Sequence, residues 1–178
     1  MNRRIIFLTC LSVFLINKTS SQSFDIYSES IYLKDFNYNT KTSNSSVNFA
    51  KSVKIEHETN ELLDPIIGLN TSEKLKLSFD ILASEATTYA YTFIHCNSDW
   101  QHSDITQSEY LNGFFDNYIN NFEYSFNTLT PYVNYNIAFP NEDIQFTKSG
   151  NYVILIYDTE NNIPVLSKRF MIYEDILN

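Results

Sequence analysis

Cysteine, glycine and proline are all scarce in this chain: two Cys, three Gly and four Pro among 178 residues. That scarcity excludes a collagen repeat, a Gly/Pro-rich low-complexity segment and a disulfide-dense scaffold. Neither a Gly-rich phosphate loop nor a G-x-S-x-G nucleophile elbow occurs. Basic residues are few as well. Twelve Lys+Arg face 21 Asp+Glu, a formal net charge of −9, whereas binding a nucleic-acid backbone calls for the opposite sign. What the chain does hold is apolar and aromatic: 43% hydrophobic residues, with 14 Phe and 13 Tyr but one Trp and two Met. A domain of about 150 residues buries roughly 70% of its unfolded surface. So rich a core needs no metal or disulfide to hold it.

The N-terminus has the layout of a secretory signal. Asn2-Arg3-Arg4 is a basic start, residues 5–16 are an apolar run, and Thr19 and Ser21 are small residues before a cut at Gln22. An apolar run of 12 residues is too short to span a bilayer, which takes about 20, so no membrane span is expected. Cys10 lies inside this run and does not end it, unlike a lipid-attachment cysteine. Removing residues 1–21 would take away Arg3, Arg4 and Lys18 and leave nine basic residues against 21 acids, a formal charge of −12. It would also leave Cys96 as the single cysteine, which excludes an intrachain disulfide.

Four segments follow from the composition along the chain: a signal peptide at 1–21, an N-terminal extension with a polar linker at 22–50, a domain at 51–174, and a tail at 175–178. In the extension, Ile26-Tyr27 and Ile31-Tyr32-Leu33 are short extended pieces, and residues 39–46 are polar. Within the domain, Leu75, Leu77, Phe79 and Ile81 alternate with Lys74, Lys76, Ser78 and Asp80, the period of a strand with one buried face. Phe122, Tyr124 and Phe126 alternate likewise, as do Tyr135, Ile137 and Phe139. The run YAYTFIHC over 89–96 is apolar on both faces and predicts a central strand covered on both sides. Residues 152–157 and 165–173 predict two more, the latter with Lys168 and Arg169 facing out. Polar residues 158–162 make the hairpin between them. Tyr110, Leu111, Phe114, Phe115, Tyr118 and Ile119 recur at helical spacing, but Gly113 and several Asn weaken a helix there. One turn in a long cross-connection is expected. No βαβ alternation is present, so the fold class is all-β: an antiparallel sandwich of about seven to eight strands, immunoglobulin-like in architecture.

Chemistry is harder to find. His57, His95 and His102 are scattered, and one Cys does not complete a zinc set with them. His95 and Cys96 are neighbours on a strand and point to opposite faces, so they cannot pair as base and nucleophile. Asp99, Asp104, Glu109 and Asp116 crowd one connection but lack the Asp-x-Asp-x-Asp-Gly pattern of a calcium loop. No catalytic residue, metal ligand or cofactor site is assigned, and no enzyme is expected. One charge feature stands out: between Lys76 and Lys148 there is no Lys or Arg, while nine acids fall there. This is either a solubility bias or an acidic surface matched to a basic partner. Trp100 is either a lid on the core or an interface anchor, with the lid favoured. The candidate partner-binding residues are Trp100, Asp99, Asp104 and Phe114.

A set of motifs then appears in order: Leu77-Ser78-Phe79-Asp80, Ile94-His95-Cys96-Asn97-Ser98-Asp99-Trp100, Glu109-Tyr110-Leu111-Asn112-Gly113-Phe114, Tyr124-Ser125-Phe126-Asn127-Thr128, Pro131-Tyr132, Phe139-Pro140-Asn141-Glu142-Asp143 and Ser149-Gly150-Asn151-Tyr152. Together they resemble the N-terminal domain of the type IX secretion system plug protein family, over residues 51–173. The resemblance implies an exported, non-catalytic β-protein of the Gram-negative periplasm. Such a protein would bind the outer-membrane β-barrel translocon and close or regulate its periplasmic end. Family members continue beyond this domain, whereas this chain stops at Asn178, which suggests a truncated or shortened relative. Among the signature residues His95, Cys96, Asn97, Asn127, Tyr132 and Glu142 are read as structural. Gly113 and Gly150 would take positive φ, Pro131 and Pro140 would end strands, and Asn141 to Asp143 would cap a turn. The rival reading is a secreted carbohydrate-binding β-sandwich, which would need exposed coplanar aromatic rings.

Overall fold

The computed structural model describes residues 36–37 and 50–175; the signal segment, the linker and the final residues fall outside them. Among the described residues the elements are β1 (Phe36–Asn37), β2 (Ala50–His57), β3 (Ile66–Gly68), β4 (Leu75–Ile81), β5 (Tyr89–Cys96), α1 (Gln107–Tyr110), β6 (Leu111–Gly113), β7 (Asn117–Tyr118), β8 (Phe122–Tyr124), β9 (Val133–Phe139), β10 (Ile144–Phe146), β11 (Gly150–Asp158) and β12 (Ile163–Tyr173). One sheet runs β1-β12-β11-β5-β7, with β3 also on β12; a second runs β2-β4-β9-β8; β10 and β6 form a separate ribbon. Every pairing is antiparallel except β3 with β12.

The two large sheets face each other as a sandwich, and alternation decides which residues fill it. Leu75, Leu77, Phe79 and Ile81 are at most 1% exposed, and on β9 they sit opposite Phe139, Ile137, Tyr135 and Val133. The facing sheet contributes Phe93, Tyr152, Ile154, Ile156 and Phe170 to the same core. Aromatic rings mesh at its centre: Phe93 lies 4.9 Å from Phe146, and Phe139 lies 5.0 Å from Phe170, both at steep angles. Such pairs add about 0.5–1.5 kcal/mol each beyond the area that they bury. β5 and β11 are apolar on both faces because their outer face carries a second, smaller cluster of Ile94, Cys96, Val153 and Leu155.

The structure differs from the sequence reading in four respects. The helical turn is not within 110–119: it is α1, at Gln107–Tyr110, and the segment after it holds β6 and β7. Twelve strands are present among the described residues, and the surplus over seven or eight consists of pieces two or three residues long. Lys168 and Arg169 do not face the same way. Lys168 shares its face with buried Leu166 and Phe170, so by alternation it lies on the inner side, and Arg169 lies on the outer. The alternating aromatics of β8 are not buried either: Phe122 and Tyr124 are 38% and 58% exposed, because β8 ends its sheet.

Candidate functional site

The segment after β5 is a turn built by one asparagine. Asn97 Oδ1 accepts from the backbone N–H of Asp99 at 3.0 Å and of Gln101 at 2.9 Å. The Asn97 N–H donates to Gln101 O at 2.9 Å, and Asn151 Nδ2 donates to Asn97 O at 2.9 Å. Trp100 takes a left-handed φ of 59° within this turn. That conformation folds the indole back over Ile94, Cys96, Val153 and Leu155. Arg169 completes the cover, with Cζ 4.3 Å from the ring centroid in cation–π geometry. Trp100 therefore covers the outer cluster and not the main core. Beneath it, burial pushes the Cys96 thiol up to about 11, so the sulfur stays protonated and is a poor nucleophile at neutral pH.

His95 points into the opposite face, as adjacent strand residues must. Its Nε2–H donates to Ser149 O at 3.2 Å, which leaves Nδ1 to accept from Ser103 Oγ at 2.8 Å. The rings of Tyr152 and Tyr110 lie 4.9 and 5.5 Å away. Burial holds the imidazole below its ordinary pKa, partly opposed by the Ser149 hydrogen bond. Gly150 closes against this ring: φ is +143°, and a Cβ there would stand 2.5 Å from His95 Nε2. Both nitrogens have partners, and the ring is half-buried.

The remaining signature residues shape turns around the β9–β10 connection. Pro140 follows β9 through a cis peptide bond. Asn141 Oδ1 accepts from the N–H groups of Asp143 and Ile144 at 3.0 and 3.1 Å, while Nδ2 donates to Ala138 O. Gly113, at φ +119°, lies so close to Asp143 O that no side chain would fit. Pro131 precedes β9, Tyr132 N–H donates to Ser125 Oγ at 2.9 Å, and Asn127 turns the intervening loop at φ 54°. Glu142 is exposed. Next to this turn is a cleft of about 260 Å³ lined by Gly68, Thr71, Glu73, Asn141 and Gln145 among others.

Asp99, Asp104 and Phe114 are all exposed, Phe114 by 69%. Asp99 adjoins Trp100 in the turn that Asn97 builds, whereas Phe114 follows β6 on the separate β6–β10 ribbon. Phe114 has its own neighbours, donating its N–H to Asp143 O and accepting from Asn117 Nδ2. None of the four lines the cleft, nor a second recess of about 320 Å³ beside β7. Among the described residues no group of three or more His, Cys, Asp and Glu side chains is placed to hold a metal ion. No described helix is long and apolar enough to cross a membrane. The surface feature missed in the sequence is a run of exposed apolar side chains along the segment that carries β7 and β8: Tyr118, Phe122, Tyr124, Phe126 and Leu129.

The description "Type 9 secretion system plug protein 1st domain" matches residues 50–174. The chain belongs to that family. A crystal structure of a hypothetical protein from Parabacteroides merdae ATCC 43184 shares 35% identity with a TM-score of 0.67, over 69% of this chain. The chain spans 31% of that protein's length. A Pseudomonas fluorescens alkylpurine DNA glycosylase, AlkC, also aligns, at 12% identity over 67% of this chain and 30% of its own. Its TM-score of 0.33 carries no argument. No curated protein matches. In this plug domain, the family's named role is that of a secretion-system part, a non-enzymatic kind. His95, Cys96, Asn97, Gly113, Asn141 and Gly150 all make packing or turn contacts.

Proposed function

We propose that this plug domain is a non-catalytic periplasmic binding module that docks on the outer-membrane β-barrel translocon of the type 9 system and closes or regulates it. The observation that carries the reading is the family match across the whole sandwich. Two features support it. The exposed aromatics of β8 offer apolar contact area, and the stretch from 77 to 147 carries nine acids and no Lys or Arg. In this reading residues 1–21 direct export, and residues 51–174 form the binding domain behind an extension at 22–50.

The carbohydrate-binding alternative needs a flat aromatic platform. Phe122 and Tyr124, the adjacent exposed rings on β8, stand at 89° to one another, which gives none. The test is isolation of the tagged full chain from outer-membrane extracts, with the translocon barrel expected to co-purify. A folded chain that never co-purifies at any ionic strength would remove the reading. Intact mass of the exported protein should begin at Gln22; periplasmic material retaining Met1 would remove the signal assignment.

A further inference from the structure

The outer edge of β8 has the attributes of a strand acceptor. Asn136 N–H donates to Asn121 O at 3.0 Å and Ser125 N–H to Tyr132 O at 2.9 Å. Bonded and non-bonded pairs alternate along an antiparallel ladder, so residues 121, 123 and 125 direct their backbone groups at β9. The N–H and C=O groups of Phe122 and Tyr124 therefore point away from it, and no described residue takes them. Their side chains share the face of Tyr135 and Val133, their partners on β9. Phe122 lies 5.8 Å from the Tyr135 ring, at the mouth of the core and open to solvent.

Charge says what fits. Between the two aromatics, Glu123 projects to the opposite face, across from Asn134. Asn134 Nδ2 is already held by Asp80 Oδ1 at 2.7 Å, so the amide does not neutralise Glu123. The nearest base along that row is Lys51 on β2, at the far side of the sheet. A second copy of this chain is a poor occupant. Pairing β8 with itself about a two-fold axis, using both outward-facing residues, sets Glu123 against Glu123. That is the close non-bonded position, with Cα atoms about 4.5 Å apart, where like charges destabilise. An acid in the middle of an exposed edge strand guards against self-association.

We infer that β8 receives, by strand addition, a short extended segment of a partner protein. The segment has apolar residues opposite Phe122 and Tyr124 and a Lys or Arg opposite Glu123. Main-chain hydrogen bonds hold such a strand and alternate side chains select it. The inference rests on the reading of this domain as a translocon binder and assigns the segment to that translocon.

Two experiments separate the failure of this inference from the failure of that reading. In the first, the 15N-labelled exported chain is titrated with a seven-residue peptide alternating Val with Lys, and with its Val/Glu counterpart. The Val/Lys peptide should shift and protect the amides of Phe122 and Tyr124, the Val/Glu peptide should not, and Glu123→Lys should reverse the preference. Equal response to both peptides, or shifts centred elsewhere, would overturn the inference. So would Phe122 and Tyr124 amides already protected in the free chain, which would mean that the chain itself occupies the edge. Concentration-dependent dimerisation through β8 would overturn it in favour of a second copy.

In the second, the tagged full chain carries Tyr124→Pro. This removes an outward N–H and no β9 bond, a position where an edge strand tolerates proline. The variant should keep its unfolding midpoint and lose at least tenfold in recovered translocon. Wild-type recovery by the variant would overturn the inference while leaving the binding function intact. If the wild type recovers no translocon, the function reading falls, and the peptide titration alone decides the edge.

Discussion

Trp100 and Arg169 close the outer face of β5 and β11, and the thiol that they cover gives a readout of that closure. Replacing Trp100 with Ala removes the lid from Ile94, Cys96, Val153 and Leu155. The expected cost is about 2 kcal/mol, from a half-buried indole and one cation–π contact. The native chain should modify slowly with a disulfide reagent at pH 8, because burial keeps Cys96 protonated. In Trp100→Ala the rate should rise by about tenfold or more; an unchanged rate would mean that the indole covers nothing. His95 supports a second prediction at this scale. Its folded-state pKa is lowered from 6.5, first by burial. The folded state thus binds fewer protons than the unfolded state as pH falls below that value. The stabilisation is complete above 6.5 and lost as pH drops through the lower folded value. Between pH 7.5 and 5 the urea midpoint of the wild type should therefore fall more than that of His95→Gln. Parallel slopes would contradict a buried neutral imidazole.

At the scale of the element, β4 separates burial from charge within seven residues. Phe79 is fully buried and stacks on Tyr135 at 5.2 Å, whereas Lys76 faces away from the core. Phe79→Ala should cost about 3–5 kcal/mol, and Lys76→Ala no more than about 0.5. Equal losses by urea unfolding would contradict the facing. β4 and β9 were legible in the sequence because half-buried strands of seven residues complete three periods of alternation. The two-faced run of β5 was legible too, but the helical turn was not: the spacing puts it within 110–119, whereas α1 is Gln107–Tyr110 and residues 111–113 and 117–118 are strands. β3, β6, β7 and β10 were not legible, since two or three residues hold no period. Lys168 misled because a lysine suggests solvent, yet the alternation of its flanking Leu166 and Phe170 outranks its charge. β8 has the pattern of a buried strand, and nothing in its own residues states that no strand lies beyond it. Sheet order depends on pairings distant in sequence, so edges are the last thing that a local pattern reveals. The same reason hid the exposed aromatics of β8, whereas Trp100 directly follows a legible strand end.

Over the whole molecule, the charge and the aromatic edge should govern different steps of association. Asp99 and Asp104 follow the end of β5 at Cys96, whereas β7 meets β5 at Ala90 and Tyr91 and is followed directly by β8. From Ala90 to Cys96 the strand advances about 20 Å at roughly 3.3 Å per residue. An acid that far from a docked strand makes no contact with it, so its influence must travel through the field. The Debye length is about 30 Å at 0.01 M salt, long enough to span that distance, and about 4 Å at 0.5 M, far too short. Asp99→Asn combined with Asp104→Asn should therefore slow translocon association at 0.01 M, leave it unchanged at 0.5 M, and leave dissociation unchanged at both. Tyr124→Ala should do the converse, speeding release at every ionic strength, because contacts set the off-rate and long-range charge sets the on-rate. Surface plasmon resonance on the purified translocon distinguishes the two. If the paired Asn substitutions instead accelerate release at 0.5 M, then the turn carrying Asp99 touches the partner, and the binding surface lies at the Trp100 end of the sandwich and not along β8.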